Sequence, residues 1–210
     1  MNLAASVHQW AKGKLSHERI RSSTLNLKDI LKEDINVVHL QRSPALPAIS
    51  SHLKALVTKN PGLSLKASIP VRNPEENVSQ RLLSGPSWQR RSLGEDQAAI
   101  HYLHEDICSI VQSYGETLGS EEVDVKLQVL QSTMCPRWHA DHVGVRLLCT
   151  YIGQGTWWIE NRHVMRNWVL QEGELVPVVE GVDEEHAQQV DTGDLLLLKG
   201  HKWPGNQGKA

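Results

Sequence analysis

The densest run of side chains able to bind a metal or move a proton is Cys135-Pro136-Arg137-Trp138-His139-Ala140-Asp141-His142. On a strand, residues two apart share a face. His139 and Asp141 would then aim an imidazole nitrogen and a carboxylate oxygen at one point, with His142 facing away. One more histidine from a distant strand would complete a two-histidine, one-carboxylate set, which binds iron(II) on one side and leaves the opposite positions open for oxygen chemistry. The same run can also be read as a zinc site, with Cys135, His139 and either Asp141 or His142 as ligands. A structural zinc finger wants a fourth ligand of the Cys or His type, and no second cysteine pair lies nearby, so only a catalytic zinc stays open. Cys135 and His139 as thiol nucleophile and base lack any orienting or oxyanion-binding pattern.

The elements that must position this run change character along the chain. Leu46, Ile49, Leu53, Leu56 and Val57 follow helical spacing over residues 44–60, where Asn60-Pro61-Gly62 is a stop. Residues 61–92 carry four prolines and read as an irregular connection or an edge segment, with Trp88-Gln89-Arg90-Arg91 as a solvated turn. From residue 93 to 119, Ile100, Leu103, Ile107, Ile110, Val111, Tyr114 and Leu118 line one helical face, and His101 and His104 beside that stripe read as solvated. After Glu121 the period drops to two: Val123, Val125, Leu127 and Val129 alternate with polar residues. Residues 145–152 are β-formers. A Gly153-Gln154-Gly155 turn with a return over 156–159 predicts a hairpin, with one ring of Trp157-Trp158 on each face. Shorter strands are predicted at 168–170, 176–179 and 195–199, the last launched by Thr192-Gly193-Asp194.

Helices first and strands afterwards predict an α+β fold ending in a sandwich or barrel. The expected organisation is a basic, poorly ordered leader over 1–33 and a single domain over 34–210, helical over about 44–119 and β over about 122–210. The chain has 210 residues, a length that suits one domain with a tail. Lys and Arg number 22 against 24 Asp and Glu, a net charge of −2, so no global basic field draws in nucleic acid or anionic lipid. No apolar run approaches the length of a membrane span. The three cysteines, Cys108, Cys135 and Cys149, form no Cys-x-x-Cys pair and point to a reducing compartment. A cytoplasmic location is expected, with an organellar one as the alternative because the first residues are basic and acid-poor. The tail from Gly205 to Ala210 has the wrong glycine spacing for a phosphate loop.

The segments CPRWHADHVGVRLLCTYIGQGTWW (135–158) and TGDLLLLKGHKWPGN (192–206), and more weakly DINVVHLQRSPALPAISSHLKAL (34–56), resemble the uncharacterised family known as domain of unknown function 1826. The order of elements also resembles the double-stranded β-helix of cupins and of iron- and 2-oxoglutarate-dependent oxygenases. The resemblance implies N-terminal helices packed on a cupin-like, jelly-roll barrel and a divalent metal held by His139 and Asp141. Iron(II) is favoured and zinc is the alternative. Family members continue past the match to residues 199–209 into another histidine-bearing strand, so the barrel is expected to be incomplete at the C-terminus, with His201 as the substitute third ligand. A cosubstrate carboxylate, such as that of 2-oxoglutarate, needs a cationic partner. Arg146 is the nearest candidate, with Lys199 behind it. Association of bacterial members with zinc-handling GTPases implies metal homeostasis as a second context, and a non-catalytic or truncated member as the alternative to a dioxygenase.

Overall fold

The computed structural model of the chain describes residues 1–9, 27–42, 46–84, 96–132, 135, 137–171 and 174–206. Their centre is a six-stranded antiparallel sheet in the order β2-β10-β5-β1-β4-β3. These strands are β1 (Asn2–Gln9), β2 (Val37–Leu40), β3 (Ser64–Pro70), β4 (Glu122–Leu130), β5 (Val145–Ile152) and β10 (Leu195–Lys199). The alternation in β4 works as the period predicts. Val123, Val125, Leu127 and Val129 are buried, while Asp124 and Lys126 on the other face are half-buried. In β5 the same parity buries Val145, Leu147, Cys149 and Tyr151 against the helices.

Two helices cover that face, α1 (Leu46–Lys59) and the long α3 (Asp96–Leu118). Leu103, Ile107, Ile110, Val111 and Tyr114 form the buried stripe of α3, and the Tyr114 hydroxyl donates to the Val145 carbonyl at 2.8 Å, tying the helix to the start of β5. Between the helices, residues 61–92 supply the edge strand β3 and a short helix α2 (Pro74–Asn77) that continues into a wider turn (Val78–Leu82). Trp88 to Arg91 lie outside the described residues. The other sheet face carries a smaller apolar cluster of Val37, Leu196, Trp158 and Val190. Trp158 belongs to β6 (Trp157–Trp158), which pairs with β9 (Gln188–Gln189). Its ring is buried while that of Trp157 is exposed. A separate hairpin joins β7 (Val164–Gln171) to β8 (Glu174–Val182).

The fold is α+β, as expected, and three expectations are corrected. Asn2–Gln9 is no loose leader: it is a central strand hydrogen-bonded to β4 on one side and β5 on the other, and Leu27–Leu31 forms a 3₁₀ turn with Leu27 and Ile30 buried. The apolar residues Leu3, Ala5 and Val7 at alternate positions fill the core, which outweighs the basic composition further along. The return after Gly153-Gln154-Gly155 does not pair with β5. β6 pairs with β9 instead, because β1 and β10 already occupy both edges of β5. Finally, the described strands do not close into a barrel: β2 and β3 are the edges of the large sheet, and the later strands pair with one another rather than with those edges. No described helix is long and apolar enough to cross a membrane.

Candidate metal site

His139 and Asp141 lie in an irregular loop before β5, not on a strand. The expected alternation therefore does not apply, and the loop is held by a second irregular segment that follows β10. Gly200 N–H donates to the Gly144 carbonyl at 2.7 Å, His201 N–H to that of Asp141 at 2.7 Å, and Lys202 N–H to that of Val143 at 3.0 Å. The two backbones come so close at Gly200 that a β-carbon there would meet the carbonyl oxygens of Val143 and Asp141. Glycine is required by this approach. The buried side-chain amide of Asn206 closes the same turn by donating to the carbonyls of Lys199 (2.9 Å) and Gly200 (3.2 Å).

Within this frame the imidazole and carboxylate do meet. His139 Nδ1 donates to the Arg137 carbonyl at 2.8 Å, which leaves Nε2 facing Asp141 Oδ1 at 3.6 Å. Pairing with Asp141 first, and the Arg137 carbonyl second, outweigh partial burial and push the His139 pKa up to about 9. Asp141 is largely buried, with its side chain 14% exposed, whereas that of His139 is 53% exposed. Arg146 Nη1 holds the same Oδ1 at 2.7 Å, and Arg146 Nε is buried without a hydrogen-bond partner. The His142 ring stacks on that of His201, with centroids 5.5 Å apart. Cys135 is exposed, and its thiol lies 3.8 Å from the Arg137 carbonyl.

Lys199 is not behind Arg146. It pairs in register with Val145, and Leu198 with Arg146, so it shares the helix-side face with Val145. There it is 1% exposed, donates from Nζ to the Lys32 carbonyl at 2.6 Å and lies 5.1 Å from the centroid of the Trp203 ring. Burial pulls its pKa down to about 8 against the raising influence of Asp34 and Glu33.

A second polar constellation, at the other end of β5, was not visible as a motif. Arg42 Nη1 and Nη2 hold Asp106 Oδ1 and Oδ2 of α3 at 2.5 and 3.2 Å, and the Tyr151 hydroxyl donates to Asp106 Oδ2 at 2.7 Å. Arg42 also donates from Nε to the Gly193 carbonyl at 2.5 Å, and its backbone N–H donates to Asp194 Oδ1 at 3.0 Å. Asp194 Oδ2 lies 2.7 Å from His39 Nε2. Burial pushes the Cys149 thiol up to about 12, so it is inert rather than nucleophilic. Asp106, three residues after Leu103 on the buried stripe of α3, is the one sequence signal for this network: a charge on an apolar helix face needs a partner.

Among the described residues, one group of three or more His, Cys, Asp or Glu ligand atoms lies within 4.8 Å of one another, and it is His163, Asp183 and His186 rather than His139, Asp141 and His201. Compared with known families, the chain matches over residues 22–210 the family model described as "Protein of unknown function (DUF1826)". No curated protein and no solved structure matches the chain.

Proposed function

This chain belongs to the DUF1826 family, and from that premise and the loop geometry we propose that it is a metal-binding protein with a divalent ion held by His139 and Asp141. One observation carries the reading. The Nδ1–H bond to the Arg137 carbonyl fixes the tautomer and turns Nε2 toward Asp141 Oδ1, the arrangement by which a backbone carbonyl orients a ligating imidazole. The 3.6 Å gap lies within the span of two ligand bonds of about 2.1 Å each, so the two donors fit a shared ion. His201, joined to the Asp141 carbonyl through its backbone N–H, is the candidate third ligand, and its ring would have to move closer, since it does not group with His139 and Asp141 within 4.8 Å.

Arg146 adds the anion-binding half of the site. It now neutralises Asp141. Were Asp141 to hold a metal, the Arg146 guanidinium would be free to take a cosubstrate carboxylate, and its Nε, buried without a hydrogen-bond partner, would gain an acceptor. The enzymatic form of this reading is an oxygenase-like protein whose candidate ligands precede a central strand of the open antiparallel sheet. Iron(II) there would supply open positions for dioxygen and for 2-oxoglutarate, while Arg146 orients the cosubstrate carboxylate.

Metal analysis after anaerobic reconstitution with iron(II) or zinc tests the proposal. Metal bound by the native protein and lost from this site in His139→Ala supports it, and equal loading of the two proteins overturns it. Oxygen-dependent consumption of 2-oxoglutarate separates the enzymatic form from a non-catalytic metal-binding module.

A further inference from the structure

The base of the β7–β8 hairpin gathers three ligands from positions that no motif connects. His163 closes a 3₁₀ turn (Asn161–His163) immediately before β7, and Asp183 immediately follows β8. Val164 pairs with Val182 in register, so residues 163 and 183 extend the same ladder, and Asp183 N–H donates to the His163 carbonyl at 2.9 Å. A second 3₁₀ turn (Glu184–His186) then folds His186 back, with its N–H on the Asp183 carbonyl at 3.0 Å. The result is convergence on one oxygen. His186 Nδ1 lies 2.9 Å and His163 Nδ1 3.9 Å from Asp183 Oδ2, and the two rings are stacked with centroids 3.8 Å apart and planes 11° apart.

We propose that His163, Asp183 and His186 form a second divalent-metal site, of the zinc class, that clips the two ends of this hairpin together. Two imidazoles and one carboxylate suit zinc and its transition-metal neighbours. Calcium and magnesium prefer all-oxygen shells. Coordination requires the parallel rings to fan apart. The His186 side chain is 51% exposed and that of Asp183 49%, so this rotation disrupts no core packing. His163 is the anchored ligand at 18% exposure. Its Nε2 accepts from Arg162 Nε at 3.1 Å, so the neutral ring carries its proton on Nδ1. Coordination through Nδ1 would require the neutral ring to change tautomer, its proton passing through solvent from Nδ1 to Nε2, while Arg162 would keep Glu160 Oε2, its ion-pair partner at 2.6 Å. Because Asp183 and His186 are each about half exposed, water or a partner's side chain would have access to the remaining positions.

The site is independent of the His139 reading, and one experiment separates the two. Zinc titration of the full chain against a chromophoric chelator counts ions per chain in the native protein, His186→Ala, Asp183→Asn and His139→Ala. With both readings correct, the native protein binds two ions and each variant loses one. If only the hairpin site exists, His139→Ala binds as the native protein does and His186→Ala binds nothing. If only the loop site exists, that pattern is reversed and the hairpin proposal is overturned. Removing one of three ligands should weaken the hairpin site more than about 100-fold, beyond the loss expected for a mere supporting residue. Zinc should also move the ring-proton NMR signals of His163 and His186 in His139→Ala. Unmoved signals under saturating zinc overturn the proposal even where the ion count is unchanged.

Discussion

Replacing Asp106 by alanine removes the group that Arg42 and Tyr151 share. The Arg42 and Asp106 side chains are 22% and 14% exposed, and Tyr151 is fully buried. Breaking a buried ion pair by deleting one partner costs about 3–5 kcal/mol, because the other charge stays buried without its counterion. Arg42 keeps the Gly193 carbonyl, which lowers that figure, but Tyr151 loses its acceptor, which adds about 1–3 kcal/mol. A net loss of about 4 kcal/mol follows, a large part of the roughly 5–15 kcal/mol that stabilises an ordinary domain. For a chain of this size it lowers Tm by about 8–16 °C. Urea unfolding should show the change in midpoint with little change in slope. Asp106→Asn, which keeps one acceptor oxygen, should lose about half as much. The double variant Arg42→Met with Asp106→Leu should recover much of the deficit, since apolar replacement of both partners removes the uncompensated charge. A loss below about 1 kcal/mol in Asp106→Ala, or strict additivity in the double variant, would refute the view that these side chains act as one unit.

Three further outcomes are expected. Gly200→Ala forces a methyl group against two carbonyl oxygens and should cost about 1–3 kcal/mol, with the His139 ring signals displaced by NMR because the same backbone holds the loop. Trp158→Ala empties the smaller apolar cluster and should cost about 3–5 kcal/mol by denaturant unfolding, whereas Trp157→Ala, at an exposed ring, should change little. Lys199 has a folded-state pKa lowered to about 8, below its unfolded value, so between pH 8 and about 10 the unfolded chain holds more protons and stability rises with pH. Lys199→Met should abolish that increment, and a native-minus-variant difference that stays flat over this window would contradict the assignment.

Much of the fold is local enough to be legible in the chain. The stripe of α3, the alternation of β4, the β-formers of β5 and the strand after Thr192-Gly193-Asp194 all appear where their periods place them, because burial of one face imposes the period directly. Pairing partners were less legible. The alternation of Leu3, Ala5 and Val7 allows a strand but not its central place, and nothing in Trp157–Trp158 says that Gln188–Gln189 rather than β5 will be its neighbour, since strand pairing depends on which edges remain vacant after the sheet assembles.

The site divides along the same line. Sequence alone determined which donors are present, and it brought His139 and Asp141 forward because two ligating side chains two positions apart share a face wherever the backbone is extended. Only tertiary structure decided the rest: that the segment is a loop held by Gly200 and His201, that Arg146 competes for Asp141, and that Lys199 faces the opposite side of the sheet. It also decided that His163, Asp183 and His186 converge. A single residue spacing encodes the first pair, whereas the trio is assembled by a hairpin whose register closes far-apart positions onto one carboxylate oxygen, and no window along the chain contains that information.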